Sequence, residues 1–156
     1  VHYSKGRGTL DDLKALDCWI RAVDLGSDEA CNNIAACHFE GLGVSKNLEK
    51  EVFFRLIGAA RGCIVARNGI GHVEYYEAGN HEIGILHWKV AAEAGLQPSL
   101  DELKKIYNAD GKIPGKEFIS KAYLDELYRV CHEAQEEVKS EEREKHRIDV
   151  DDKFKC

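Results

Sequence analysis

The sequence predicts an all-α protein built from stacked helix pairs, and two observations indicate this. Apolar residues recur at steps of three and four along most of the chain, which is the spacing of one helix face. Glycines close three of these apolar runs, at positions spaced 36 and 33 residues apart: Gly26, Gly62 and Gly95. Repeats of this length are typical of proteins in which neighbouring helix pairs complete each other's core. Function is therefore expected on a surface rather than in a cleft.

The first unit is partial and covers about residues 3–26, with a loop marked by Gly6 and Gly8. One helix face in it carries Leu13, Leu16, Trp19, Ile20 and Val23. Gly26 ends this helix, because glycine readily adopts the left-handed conformation that follows a helix end. The acidic Asp11 and Asp12 suit the first turn of the helix, where the helix dipole favours negative charge.

The second unit, about residues 30–62, is complete. Ser27 or Asp28 is predicted to cap its first helix. The inward stripe of this helix is Ala30, Ile34, Ala35 and His38 or Phe39. A turn with two glycines over residues 40–47 leads to a second helix. The apolar residues of that helix are Val52, Phe53, Leu56, Ile57 and Ala60.

Two more units follow, at about residues 66–95 and 99–132. The first helix of the third unit is predicted to bury Ala66, Ile70, Val73 and Tyr76, and its second helix carries Ile83, Leu86, Trp88, Val90 and Ala91. Ser99 and Glu102 have the spacing of a capping box, which predicts a helix with the apolar stripe Leu100, Leu103, Ile106 and Tyr107.

The last predicted helix is long, and its apolar residues are Phe118, Ile119, Ala122, Tyr123, Leu127, Val130 and Cys131. It becomes mostly charged from about Glu133. Residues 1–132 are therefore expected to form the helical-repeat domain. Residues 133–156 are either a solvated helix end that frays or an extension that binds a partner.

Charge and hydropathy limit the classes of partner. A net charge of −6 and a pI near 5.7 argue against nucleic acid and anionic lipid, which need clustered Lys and Arg. No apolar run approaches the roughly 20 residues that span a bilayer, and no signal-peptide core opens the chain. Other proteins are therefore the expected partners. The chain lacks Met and starts at Val1 partway through a repeat, which predicts a processed product or part of a longer protein.

The six cysteines show no CxxC pair and no regular spacing. Cys31, Cys37 and Cys63 lie in apolar helical segments, where a free thiol packs as a small hydrophobe. Reduced thiols and an intracellular reducing compartment, cytoplasmic or organellar, are therefore expected.

No pattern of catalytic or metal-binding residues emerges. His81 and His87 are six residues apart, so on a helix they face different directions and do not share a metal ion. Ile106 occupies the first ligand position of the one loop that resembles a calcium site. Motifs for a serine nucleophile, a phosphate loop or a dinucleotide fold do not occur. The sequence predicts no cofactor, no metal and no enzyme.

The complete second unit resembles the Sel1-like repeat family, relatives of tetratricopeptide repeats. The family pattern is A-x-x-N-L-G-x-x-Y-x-x-G-x-G-V-x-x-D, then K-A, an aromatic residue and A-A-x-x-G. This unit matches it at Ala30, Asn33, Ile34, Ala35, His38, Gly41, Gly43, Val44, Asn47, Lys50, Phe54, Ala59 and Gly62. The partial first copy supplies Tyr3, Gly6, Gly8, Asp12 and Trp19, and the next copy supplies Ala66, Ile70, Gly71, His87 or Trp88, Ala91, Ala92 and Gly95.

The copies cover residues 3 to about 107 and depart from the pattern at three positions. His38 and Glu74 stand where the family has Tyr, and Gly58 replaces the first Ala of its pair. The resemblance implies a right-handed α-solenoid of stacked antiparallel helix pairs. About three pairs would be joined by a partial N-terminal unit and a long C-terminal helix.

A solenoid of this kind exposes a concave face built mainly from the first helix of each unit. The outward residues expected there are Asn32, Asn33, Asn68, His72 and Glu102. Asparagine donates and accepts hydrogen bonds, so these side chains suit the backbone of a bound peptide. Asn33 has a second interpretation, in which it braces its own repeat.

The predicted function is therefore a non-enzymatic scaffold or adaptor that holds a partner peptide or helix on this face. One alternative is a fixed structural subunit that bridges neighbours in a larger assembly. A lesser alternative is a regulatory module of an enzyme encoded in residues outside this sequence.

Overall fold

The computed structural model describes residues 10–154, with side chains described for residues 10–147. Every regular element in this part is helical, which confirms the predicted all-α class. The elements are α1 Leu10–Asp24, α2 Asp28–Glu40, α3 Leu48–Ala60, α4 Ile64–His72, a π-helical segment Val73–Glu77, α5 His81–Glu93, α6 Gln97–Asn108, a 3₁₀ turn Lys116–Phe118 and α7 Lys121–Phe154. Tyr3, Gly6 and Gly8 of the partial first unit lie outside the described residues.

The chain divides into two compact units, Val1–His87 and Trp88–Cys156, and each is described by itself. Within the first unit, α1 packs on α2, α2 on α3, and α3 on α4. One core cluster joins Leu16, Ile34 and Cys37, and a second joins Ala59, Ala66 and Ile70. His38 is buried against these elements, whereas Phe39 is half exposed, so His38 completes the inward stripe of α2.

The helix ends follow the predicted turn chemistry. Gly26, Gly62 and Gly95 have φ angles of +90°, +101° and +96°, in the left-handed region that favours glycine. Ser27, and not Asp28, caps α2, because its hydroxyl oxygen accepts a hydrogen bond from the Ala30 amide at 3.3 Å. The thiol of Cys63 caps α4 in the same way, with its sulfur 3.4 Å from the Ala66 nitrogen.

The buried face of α3 differs from the apolar face that the sequence indicates. Phe53 and Leu56 are half exposed, whereas Glu51, Gly58 and Ala59 are buried. The reason is that α3 packs against both α2 and α4. This packing places the carboxylate of Glu51 on the inner side of α3, and the larger side chains of Phe53 and Leu56 remain half exposed.

The prediction that Tyr76 belongs to the core is wrong, and the π-helical segment explains why. In this segment Ala78 donates its backbone N–H to the Val73 carbonyl at 2.9 Å, a five-residue step instead of four. The wider turn moves Tyr75 inward, where it is 4% exposed, and leaves Tyr76 50% exposed. Gly84 of α5 allows this packing, because a Cβ there would lie only 2.7 Å from the Tyr75 Cβ.

The buried face of α5 carries Ile85, Trp88, Ala91 and Ala92, whereas Ile83, Leu86 and Val90 are exposed. The predicted set mixed two faces of this helix, because apolar residues surround most of it. Only Trp88 and Ala91 were placed correctly among the buried residues.

In the second unit, α6 packs on α7 through a core of Leu100, Leu103, Ile106, Leu127 and Cys131. The prediction that Ser99 caps α6 is wrong. The helix begins at Gln97 with Leu96 in the cap position, and Ser99 is fully buried in the first turn. Pro98 is accommodated there because the first-turn nitrogens need no partner within the helix.

The long final helix begins later than predicted, at Lys121. Phe118 lies in the 3₁₀ turn and Ile119 is extended, so neither belongs to α7. The Ser120 hydroxyl accepts a hydrogen bond from the Tyr123 amide at 3.1 Å and starts the helix at this point. The charged stretch after Glu133 remains helical to Phe154, with residues 136–147 exposed to solvent.

Candidate protein-interaction groove

A surface groove of about 450 Å³ lies in the first compact unit, between α2, α4 and the π-helical segment. Residues of α3 form its floor. The lining residues are Asn32, Ala36, Phe39, Glu51, Arg55, Val65, Asn68, Gly69, His72, Val73, Tyr76 and Glu77. We call this site the α2–α4 groove.

The floor of the α2–α4 groove is a chain of polar groups, of which Glu51 is buried and Arg55 and Asn32 are partly buried. Arg55 Nε donates a hydrogen bond to Glu51 Oε1 at 3.0 Å, and Arg55 Nη1 donates to Asn32 Oδ1, also at 3.0 Å. The side chains of Glu51 and Arg55 are 3% and 13% exposed. The ion pair lies within α3, and the hydrogen bond from Arg55 to Asn32 joins α3 to α2 beneath the groove.

Gly69 of α4 makes room for the guanidinium of Arg55. A Cβ at Gly69 would lie 2.1 Å from Arg55 Nη1 and 2.5 Å from Cζ, well inside contact distance. Glycine inside a helix is less stable than alanine by about 0.5–1 kcal/mol. Gly69 therefore lowers the stability of α4 but leaves the space that the guanidinium of Arg55 occupies.

Burial dominates the electrostatics of the Glu51 carboxyl. Desolvation raises the pKa of the Glu51 carboxyl above its ordinary value, although the hydrogen bond and charge of Arg55 act in the opposite direction. The nearby carboxylate of Glu77 raises this pKa further. At the Glu51 carboxyl the effect of desolvation on the pKa thus exceeds the opposing effect of Arg55.

The rim of the groove is apolar and aromatic. Phe39 and Tyr76 are 52% and 50% exposed, and Val65 is also exposed. The ring of His72 stacks on that of Tyr76, with centroids 5.8 Å apart and planes 20° apart. The π-helical segment contributes both Tyr76 and Glu77 to the lining, so the irregular helix directly shapes the site.

A second recess of about 520 Å³ adjoins the groove and shares Asn32 and Val65 with it. Its other lining residues are Ser27, Asp28, Glu29, Asn33, Gly62, Cys63 and Ile64. We call it the α2 N-terminal recess. Together the two recesses follow α2 from its first turn to Phe39.

The structure brings together most of the residues that the sequence suggested for the site. Asn32, Asn68 and His72 line the α2–α4 groove, and Asn33 lines the α2 N-terminal recess. Glu102 lies in the other compact unit, where its carboxylate is 3.7 Å from Lys105 Nζ. A role for these five residues in binding stays a prediction.

Sequence reasoning missed Glu51, Arg55, Gly69 and Glu77. Two local signals existed: Glu51 and Arg55 have the spacing of a helical ion pair, and Gly69 is a glycine inside a helix. Neither signal shows that the pair is buried or that Gly69 accommodates it, because both facts depend on how α3 meets α4.

Two further histidines of the first compact unit are shielded from solvent. Burial lowers the pKa of His38 and of His87 below their ordinary values. Within residues 10–147 no three His, Cys, Asp or Glu side chains gather around a possible metal position. Among the described helices, none combines the length and hydrophobicity of a membrane span.

Comparison with known proteins identifies the fold. No family model and no curated protein sequence matches the chain. Among solved structures, the chain superimposes on a Sel1 repeat protein from Oxalobacter formigenes with a TM-score of 0.60 and 22% identity. The match covers 78% of this chain and 49% of that protein, so the chain spans about half of its length.

A further match, to the immunity protein Pa5087 from Pseudomonas aeruginosa, has a TM-score of 0.36 and 19% identity over 68% of this chain and 55% of that one. That similarity is too low to support an argument. The Oxalobacter structure, together with the helical elements described above, shows that this chain has the fold of a Sel1-like helical-repeat solenoid.

Proposed function

We propose that the protein is a non-enzymatic interaction scaffold that holds a peptide or helix of a partner protein in the α2–α4 groove. One observation carries this proposal: a buried ion pair, Glu51 with Arg55, forms the floor of a groove that is open to solvent. Replacing a buried ion pair by apolar residues is often neutral or stabilising, so stability alone is a weak reason for its presence.

The rim supports the same function. Partly exposed aromatic side chains at a concave site are typical anchors of protein interfaces, because they bury large areas with little loss of conformational freedom. Phe39 and Tyr76 line the groove from two different elements, α2 and the π-helical segment. An apolar side chain of a partner would be covered by both.

The polar groups of the groove suit a peptide backbone. An arginine has five N–H donors, and the bonds to Glu51 and Asn32 use two of them. The remaining donors of Arg55, with the amide of Asn68, would bond to carbonyl oxygens of the partner. Asn32 would act mainly by holding Arg55 in place, and Asn33 would contact a segment that extends into the α2 N-terminal recess.

Affinity capture with mass spectrometry tests the proposal. Extract from the source cells would be passed over the wild type and over the variant Phe39→Ala/Asn68→Ala. Phe53→Ala is the matched control, because Phe53 is exposed to a similar extent, 57%, but does not line the groove. Proteins that bind the wild type and Phe53→Ala but not the groove variant would support the proposal. Unchanged capture of every protein by the groove variant would contradict it.

A second candidate function is a structural subunit that bridges neighbours in an assembly, and α7 favours it. Residues 136–147 of α7 are exposed and carry ion pairs along the helix surface, such as Lys139 with Glu136 and Arg147 with Glu144. Deleting residues 136–156 separates the two functions. If the deletion abolishes capture while the groove variant retains it, α7 is the binding element.

A further inference from the structure

We infer that the partner segment in the α2–α4 groove is cationic, with a Lys or Arg side chain among apolar residues. This inference rests on the proposed function of the groove and specifies the chemistry of its occupant.

The charges that line the two recesses are mainly negative. Four carboxylates line them, Glu51 and Glu77 in the groove and Asp28 and Glu29 in the α2 N-terminal recess. The guanidinium of Arg55 is the single Lys or Arg group among the lining residues, and it already bonds to Glu51. Within residues 10–147 no ion pair involves Asp28, Glu29 or Glu77.

Local structure explains two of these acids but not Glu77. Asp28 and Glu29 lie in the first turn of α2, where the partial positive charge of a helix N-terminus stabilises carboxylates. Glu77 is the last residue of the π-helical segment, where the helix end is partially negative and a carboxylate is disfavoured. Its charge also acts unfavourably on the buried Glu51. A cation bound beside Glu77 would relieve both interactions.

The aromatic rim adds a second attraction for the same kind of ligand. The faces of Phe39 and Tyr76 carry the negative part of the ring quadrupole, and both rings are half exposed in the groove. An Arg or Lys stem would cover these rings while its charged end reached Glu77. Val65, exposed on α4, provides a neighbouring contact for an apolar residue of the same segment.

An acidic segment fits this groove poorly. Its carboxylates would approach Glu51 and Glu77, while Arg55 already donates to both Glu51 and Asn32. The phosphates of a nucleic acid would meet the same repulsion. The charge arrangement therefore selects for a basic peptide and against both alternatives.

A library of random 12-residue peptides displayed on phage tests the inference. Selection would use the immobilised wild type, with counter-selection on Phe39→Ala/Asn68→Ala to keep only groove-dependent peptides. We expect the retained peptides to carry a net positive charge and at least one aromatic or aliphatic residue. Circular dichroism would establish that each variant is folded before it is used.

Fluorescence anisotropy of a retained peptide then measures the contribution of Glu77. The variant Glu77→Gln is expected to weaken binding about threefold to fivefold at low salt, the size of effect typical of one exposed ion pair. Glu49→Gln is the matched control, since Glu49 is an exposed acid of α3 outside the groove lining. Added salt should reduce the affinity of the wild type and narrow its difference from Glu77→Gln.

Two outcomes would overturn the inference in different ways. If the groove-dependent peptides are neutral or acidic, or bind Glu77→Gln as well as the wild type, the charge selectivity is wrong while the groove function stands. If no peptide depends on Phe39 and Asn68, the groove does not bind peptides, and the proposed function fails together with the inference.

Discussion

Gly69→Ala is the substitution that most directly tests the architecture of the groove floor. Helix propensity alone predicts that alanine at this position stabilises α4 by about 0.5–1 kcal/mol. The structure predicts the opposite sign, because the new Cβ would lie 2.1 Å from Arg55 Nη1 and 2.8 Å from Arg55 Cδ. The flexible end of Arg55 would have to shift, and we expect the guanidinium to lose its place between Glu51 and Asn32.

The expected decrease in the free energy of unfolding follows from the hydrogen bonds that Arg55 makes. Its two hydrogen bonds, one to a carboxylate and one to an amide, are worth about 1.5–3 kcal/mol each for a charged group. We take the lower value of about 1.5 kcal/mol for each of the two bonds and subtract the gain of about 0.5–1 kcal/mol in helix propensity. We therefore expect Gly69→Ala to lower the free energy of unfolding by about 2 kcal/mol. Urea denaturation followed by circular dichroism at pH 7 measures this difference.

A double-mutant cycle isolates the clash from other effects of the alanine. In the background Glu51→Gln/Arg55→Ala the guanidinium is absent, so Gly69→Ala should there raise the free energy of unfolding by about 0.5–1 kcal/mol. The sign of the effect thus reverses between the two backgrounds. If Gly69→Ala stabilises the wild type, or has the same effect in both backgrounds, the assigned role of Gly69 is wrong.

Two further predictions concern the aromatic residues of the first unit. Tyr75→Ala should lower the free energy of unfolding by about 3 kcal/mol because it empties a buried site, whereas Tyr76→Ala should change it by about 0.5 kcal/mol or less; equal losses in urea denaturation would contradict the π-helical arrangement. His38 is buried and stacks on Phe54 at 6.1 Å, and burial lowers its pKa below the ordinary 6.5. Below pH 6.5 the His38 side chain therefore binds a proton more readily in the unfolded chain than in the folded one. As the pH is lowered, the free energy of unfolding decreases by up to about 1.4 kcal/mol per pH unit for this group. His38→Phe should flatten the decline between pH 7.5 and 5, and an unchanged slope in this variant would contradict the contribution of His38.

The features of this protein that depend on local chemistry could be predicted from its sequence. Helix propensity, cap residues and the spacing of apolar side chains act within a few residues, so they can be read without knowing the neighbours. Gly26, Gly62 and Gly95 marked the repeat, Ser27 was among the predicted caps, and Ala30, Ile34 and Ala35 formed the predicted stripe. The same local pattern matched Sel1-like repeats, and the fold agrees.

Tertiary contacts decided the features that the local pattern does not contain. The three-residue step from Val73 predicted that Tyr76 was buried, but the π-helical turn buries Tyr75 instead, close to Gly84 of α5. The predicted apolar residues of α3 did not include Glu51, but its side chain is only 3% exposed and pairs with Arg55. The hydrogen bond from Arg55 of α3 to Asn32 of α2 depends on the distance and angle at which these two helices pack. For this reason the floor of the groove, unlike the repeat that supports it, emerged only with the folded structure.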